Sequence, residues 1–243
     1  PVRIGWDKTR WRDRHQWFIN QSVQIPFEVH QVDAFLAFAH ALDIPPEPPV
    51  WNWPVSSEDI NWASQVLGDG PPILMISPCS SHPLRNWQAA RYAQVADHAI
   101  AKLGMRVVLT GGPSELESTT GQEIESAMQQ KPINLIGKDT ICQSVALLKK
   151  AAVVISPDSG PTHLASCVGT AVIGLYAATP SGRSGPYNSL DLCVDRYTEA
   201  ARKFRHQEPR ELRWGQRIEF PGVMDLIETS DVIDKLNQFM QSY

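Results

Sequence analysis

Five short apolar runs, separated by segments of helical character, constrain this chain more than any other feature. The runs are residues 73–77 (ILMIS), 105–110 (MRVVLT), 133–136, 153–156 and 171–176. Residues 88–103 between the first two read as a helix, closed by Gly104, the residue that best tolerates a left-handed helix end. Residues 114–130 read as a second helix, opened by the capping-box pattern Ser114-x-x-Glu117. Thr140 caps a third helix through Lys150, and a short fourth runs from about residue 161 to 168. Strands that alternate with helices across short connections form a parallel sheet, because parallel neighbours need crossover connections. The predicted fold class is therefore α/β: a Rossmann-like parallel sheet with flanking helices. The runs are almost continuously apolar, as expected of strands covered on both faces. Ligands of such sheets bind beyond the carboxyl ends of the strands, so function is sought in the residues that follow each run.

The N-terminal part has a different character. Six of the eight tryptophans lie between residues 6 and 62, and Pro45-Pro46-Glu47-Pro48-Pro49 is a stiff extended segment that cannot be helical. Residues 33–42 (DAFLAFAHAL) carry apolar positions at helical spacing, and residues 231–240 read as a final amphipathic helix. The expected organisation is 1–50, 51–230 and 231–243. Arg3-Ile4-Gly5 reads as the middle of a strand and no initiator Met precedes it, so the chain is expected to be part of a longer polypeptide.

Composition removes several classes of function. Twenty-two Lys and Arg against 26 Asp and Glu give a net charge of −4, which argues against nucleic acid as the main partner. The longest apolar stretch, around residues 171–178, is too short for a transmembrane segment, and the first residues do not resemble a secretory signal. Four cysteines without a CxxC pair form neither a zinc pattern nor a disulfide framework, and read as small buried hydrophobes. No DxD pair occurs, so a metal-bridged diphosphate is disfavoured and no metal site or cofactor is expected.

The strand ends carry polar chemistry. After the first run, Ser80, Ser81 and Arg85 precede a helix capped by Asn86, a combination that suits an anion or is simply a polar loop with a surface Arg. After the second come Gly111 and Gly112, then Glu115 in a first helical turn. That carboxylate would accept bonds from ribose hydroxyls or merely complement the helix dipole. After the fourth, Asp158, Ser159, Gly160 and His163 surround a helix start with Pro161 in its first turn. The amides of Ser159 and Gly160 would face a diphosphate, whereas Asp158 would repel one and suits sugar hydroxyls. After the fifth, Thr179, Ser181 and Arg183 form a possible phosphate or sugar loop, with an ordinary mobile loop as the alternative. Together these groups suit a sugar diphosphate neutralised by Arg85, Arg183, His163 and helix amides.

Ser156 to Ala165 (SPDSGPTHLA), the Arg85-Asn86-Trp87 loop and the Thr110-Gly111-Gly112-Pro113 turn, in this order, resemble glycosyltransferase family 9, the ADP-heptose:lipopolysaccharide heptosyltransferases. The resemblance is close over residues 72–190. It is looser through residues 4–20 and Arg213-Trp214-Gly215. It implies a GT-B architecture of two facing Rossmann-like domains, with residues 51–230 as the donor half and 1–50 as a remnant of the acceptor-side domain. It implies an inverting, metal-independent transfer of heptose from ADP-heptose, or another nucleotide-sugar, to the lipopolysaccharide core. By position, Ser80, Ser81 and Arg85 would meet the phosphates, Glu115 the ribose, and Lys138, Asp139 and Thr140 the adenine. Asp158 would hold the transferred sugar, and Ser159, Gly160 and His163 would line the diphosphate. Arg3, Lys8, Arg10, Arg12 and Arg14 would face an anionic acceptor or form a solvated basic surface. A cytoplasmic enzyme, peripheral to the inner membrane, is implied. The family's catalytic Asp sits in a Gly-Asp loop after an opening strand. That segment has no match here, Asp7 and Asp13 fall later in the pattern, and no catalytic residue is assigned. Without that base the chain is expected to bind donor and transfer poorly. A non-catalytic nucleotide-sugar-binding module is the alternative. A dinucleotide oxidoreductase ranks low, because no GxGxxG turn is found.

Overall fold

The computed structural model describes residues 1–45 and 47–243. Pro46, the second residue of the proline segment, lies outside the described residues.

A six-stranded parallel sheet forms the larger lobe. Its strands are β3 (Ile73–Ile76), β4 (Arg106–Leu109), β5 (Ile133–Asn134), β6 (Val153–Pro157), β7 (Ala171–Tyr176) and β8 (Val194–Asp195), in the order β5-β4-β3-β6-β7-β8. Alternate side chains along each strand bury into opposite cores. Leu74, Ile76, Val107, Leu109, Val153, Ile155, Ile173 and Leu175 enter one. Ile73, Met75, Val108, Val154 and Val172 enter the other. The first core is closed by α3 (Ala89–Leu103), α4 (Glu115–Ala127) and α9 (Thr229–Ser242), which contribute Tyr92, Val95, Ile124, Val232 and Leu236. The second is closed by α2 (Ser57–Leu67), α5 (Ile141–Lys150) and α6 (Gly160–Cys167), through Ala63, Leu67, Ala146, Leu147, Leu148 and Ala165. The final helix therefore belongs to the larger lobe.

The smaller lobe pairs β1 (Ile4–Trp6) with β2 (Gln21–Val23) in parallel and packs them on α1 (Gln31–His40). Among the described residues its buried apolar core is Val23, Ile25 and Ala34, with Trp6 set edge-on against Phe38. The lobes meet at specific contacts. His30 Nε2 lies 3.0 Å from the Gly185 carbonyl, and the Tyr187 hydroxyl donates to Asp33 Oδ1 at 2.6 Å. Phe27 and Trp214 rings lie 5.6 Å apart.

Strand β8, helix α2, the single turn α7 (Ser181–Ser184) and the short helix α8 (Tyr197–Ala200), with the π-helical turn 201–205 after it, go beyond the sequence expectation. Asn86 does not cap α3. Its Oδ1 accepts the Ser80 amide at 2.7 Å instead, and Gln88 holds the N-cap position without a side-chain bond. Cys79 is buried, but Cys142, on the first turn of α5, is exposed, against the expectation of small buried hydrophobes. Among the described residues no helix is long and apolar enough to cross a membrane.

Candidate functional site

The strand order places one crevice at a special point. β4 and β5 lie on one side of β3, whereas β6, β7 and β8 lie on the other. The connections leaving β3 and β6 therefore diverge to opposite sides and leave an opening between their carboxyl ends, the usual ligand position in doubly wound sheets. A cavity of about 810 Å³ occupies that opening. Ser80, Ser81 and Arg85, which follow β3, form one wall. Asp158, Ser159, Gly160 and His163, which follow β6, form the other, and Arg183 reaches in from the loop after β7.

Arg85 is the central charge. It is 8% exposed and enters the crevice from a 3₁₀ turn, Pro83–Arg85. Its Nη1 lies 4.0 Å from Asp158 Oδ2, its Nη2 donates to Ser81 Oγ at 3.3 Å, and its Nε lies 3.4 Å from Glu219 Oε1. Neither that Nε nor that Oε1 completes a hydrogen bond, although both are buried. Burying an ionised group without full hydrogen bonding is costly, so the arrangement favours an oxyanion that engages the guanidinium.

The opposite wall is built from hydroxyls and helix-start amides. Thr162 Oγ1 donates to the Pro157 carbonyl at 2.7 Å, and Ser159 Oγ lies 2.8 Å from Ser156 Oγ. This ties the Ser159 side chain downward and leaves its N-cap bond unmade. The α6 amides are consequently free for a ligand. A Cβ on Gly160 would meet nothing within 4 Å, so the space above the helix start is open. Asp158 Oδ1 lies 3.9 Å from His163 Nε2, and Ser184 Oγ lies 3.5 Å from Asp158 Oδ2. Desolvation in the crevice lowers the His163 pKa from 6.5. The Asp158 charge opposes that shift and the His30 charge adds to it.

The remaining sequence candidates lie elsewhere. Glu115 is exposed on the first turn of α4, outside the crevice lining. Its neighbour Glu117 lines the crevice instead, accepting from the Gly112 amide at 2.7 Å and from Ser114 Oγ at 2.6 Å. Lys138, Asp139 and Thr140 form the turn before α5. There Lys138 Nζ donates to the Asn134 carbonyl at 2.7 Å, Asp139 accepts from Ser144, and Thr140 caps the helix. Burial raises the Asp139 carboxyl pKa. Thr179 is buried, and Ser181 gives both its amide and its hydroxyl to Asp195 Oδ2, at 2.7 and 2.5 Å. Asp7 is committed too. Burial pushes its carboxyl pKa up, but bonds from Thr9 and Ile25 and the Arg10 charge outweigh this and hold it below 3.8. Glu219, Arg217 and Ser184 are site residues that sequence reasoning missed.

A family model described as glycosyltransferase family 9 (heptosyltransferase) matches residues 1–213. The chain belongs to glycosyltransferase family 9. The lipopolysaccharide core heptosyltransferase OpsX of Haemophilus influenzae is 34% identical over 236 residues, which cover 97% of this chain and 68% of that protein. Two solved structures share the fold. A family 9 glycosyltransferase from Veillonella parvula superposes with a TM-score of 0.73 at 21% identity, covering 94% of this chain and 65% of that one. The Escherichia coli ADP-heptose lipopolysaccharide heptosyltransferase II gives 0.68 at 19% identity, covering 100% of this chain and 70% of that one. The chain thus spans about two thirds of the length of these relatives.

Proposed function

We propose that the crevice binds ADP-heptose and that this chain is the donor-binding part of a heptosyltransferase acting on the lipopolysaccharide inner core. The observation that carries the reading is Arg85, buried at the divergence of β3 and β6 with an unfilled Nε, facing free helix-start amides across a cavity of about 810 Å³. A guanidinium and helix-start amides converging on one space suit a diphosphate. Asp158 has accepting oxygens and no net attraction for phosphate, so it suits hydroxyls of the transferred sugar. The relatives named for heptose transfer support the sugar and the acceptor.

The transfer is read as inverting and independent of metal. An acceptor hydroxyl oxygen bonds to the anomeric carbon, the bond to the diphosphate oxygen breaks, and the hydroxyl proton passes to a base. Negative charge grows on the departing diphosphate, and Arg85 with the α6 amides is oriented toward it beforehand. Such preorganised stabilisation is usually the largest contribution in group transfer.

Calorimetry without metal, with ADP, UDP, GDP and NAD, tests the reading. ADP is expected to bind selectively, and Arg85→Ala to weaken it ~10–100-fold, consistent with loss of charge-assisted bonds. Equal binding of all four nucleotides, or an unaffected Arg85→Ala variant, overturns it. A non-catalytic binding module would give the same titrations but no heptose transfer from ADP-heptose.

A further inference from the structure

Glu219 approaches Arg85 more closely than Asp158 does, and it does so from outside the crevice lining. Its Oε1 lies 3.4 Å from Arg85 Nε, whereas Asp158 Oδ2 lies 4.0 Å from Nη1. Asp158 lines the crevice and Glu219 does not. Nε is the nitrogen at the root of the guanidinium, and Nη1 and Nη2 are its tips. A charge held against the root therefore sets the rotation of the plane and the direction of both tips.

Both partners stand on rigid supports. Trp87 is 2% exposed and its Nε1 donates to the Ile227 carbonyl at 3.0 Å, which anchors the loop two residues after Arg85. Ile218 is fully buried and its amide donates to the Ala178 carbonyl at 2.8 Å, while the Phe220 ring stacks 5.7 Å from Phe204. Glu219 lies between these two fixed neighbours. Its second oxygen, Oε2, lies 3.8 Å from Nε2 of His82, the residue that opens the 3₁₀ turn carrying Arg85. One carboxylate thus faces that turn at both ends. Neither Arg85 Nε nor Glu219 Oε1 completes a hydrogen bond among the described residues, so the hold is one of charge, with little water to screen it. Fixing a long side chain costs rotamer entropy that a ligand would otherwise have to overcome on binding. Glu219 meets that cost in the free protein.

We propose that Glu219 is a positioning residue: it holds the Arg85 guanidinium at its root, so that Nη1 and Nη2 are aimed at the diphosphate before the donor arrives. The ligand's identity rests on the donor reading of the crevice, and the hold rests on the Glu219–Arg85 geometry. As a bare charge Glu219 would repel a diphosphate. A positioning role and a merely electrostatic one therefore give ADP effects of opposite sign when the charge is removed.

The test is calorimetry of ADP against the parent, Glu219→Gln, Glu219→Asp, Arg85→Ala and the double variant Glu219→Gln with Arg85→Ala. Glu219→Gln is expected to weaken ADP about tenfold, although it removes a negative charge. Glu219→Asp keeps the charge but draws it back from Nε, and is expected to weaken ADP only ~3-fold. In the Arg85→Ala background Glu219→Gln is expected to cause no further loss. Unchanged or tighter ADP binding in Glu219→Gln overturns the proposal and leaves the donor reading standing. An equal loss in the Arg85→Ala background assigns Glu219 a purely structural role and also overturns it. Urea midpoints show whether each variant folds. Should Glu219→Gln not fold, Glu219→Asp carries the test: its loss must appear with Arg85 present and vanish with Arg85→Ala. Inorganic pyrophosphate separates this proposal from the donor reading. If ADP does not bind the parent, but pyrophosphate binds and weakens in Glu219→Gln, the donor reading fails and the role of Glu219 stands. If neither binds, both fail.

Discussion

Arg85 shows how a binding residue is kept charged and available inside a fold. Asp158 and Glu219 flank it with side chains 15% and 23% exposed, close enough to stabilise the guanidinium, yet neither closes an ideal bidentate pair. Removing one partner of a buried pair leaves the other charge uncompensated. Arg85→Gln should therefore destabilise the fold by ~1–3 kcal/mol, reduced from the fully buried case because the carboxylates keep some water. In a Glu219→Gln background the cost should shrink, and urea unfolding of the two single variants and the double variant measures the coupling. His163 makes a second prediction at this scale. Its folded pKa lies below 6.5, so the unfolded chain binds more protons between the two values. Stability should fall as pH drops through about 6.5 and level off below the folded pKa. His163→Gln should flatten that part of the profile, read as urea midpoints across mildly acid pH. The effect should be small, because the side chain is 49% exposed. ADP affinity should move the opposite way, since a protonated imidazole attracts diphosphate.

Helix α5 separates a structural residue from a binding one. Thr140 Oγ1 accepts the Gln143 amide at 3.3 Å while Gln143 Oε1 accepts the Thr140 amide at 2.9 Å, a complete capping box. Thr140→Ala should cost about 1 kcal/mol in urea unfolding and leave ADP affinity within about twofold, since its hydroxyl is already used and it lies outside the crevice lining. A large loss of ADP affinity would instead place the adenine at this turn. The same element shows what the sequence makes legible. Strands β3, β4, β6 and β7 are four to six residues long and apolar on both faces, so they stand out as runs, and the loops after β3 and β6 follow from them. Strand β5, two residues long, is legible only because it opens the apolar run 133–136, whereas β8, also two residues long, carries no period to detect and exists because β7 offers it an edge. Glu219 and Arg217 follow an irregular segment with no repeating pattern, and only the three-dimensional path brings them to Arg85 and Arg183. Glu115 and Glu117 both fit a first-turn carboxylate; the Ser114-x-x-Glu117 pattern marks the cap, but only the folded turn shows that the Glu117 carboxylate reaches past Ser114 to the Gly112 amide.

At the scale of the whole molecule, the smaller lobe docks on the larger. A core of Val23, Ile25 and Ala34 is far below what sustains an independent domain. Docking against the loop 180–187 and the segment 213–215 adds to that core. Three polar bonds support that docking, one of them from Arg213 Nη2 to the Trp11 carbonyl at 3.3 Å. His30 accepts the Val32 amide at Nδ1, at 3.2 Å, which leaves Nε2 as the donor toward the Gly185 carbonyl. Tyr187 donates to Asp33, and that bond, followed by burial, raises the tyrosine pKa. Tyr187→Phe removes one bond of about 0.5–1.5 kcal/mol and keeps the ring that packs 4.9 Å from His30. Sub-global opening of the smaller lobe should become easier by that amount, so amide exchange in β1, β2 and α1 should accelerate ~2–12-fold. Exchange in β3, β6 and β7 should stay unchanged. If exchange accelerates equally in both lobes, the lobes unfold as one unit and the docking contacts do not control the smaller lobe separately.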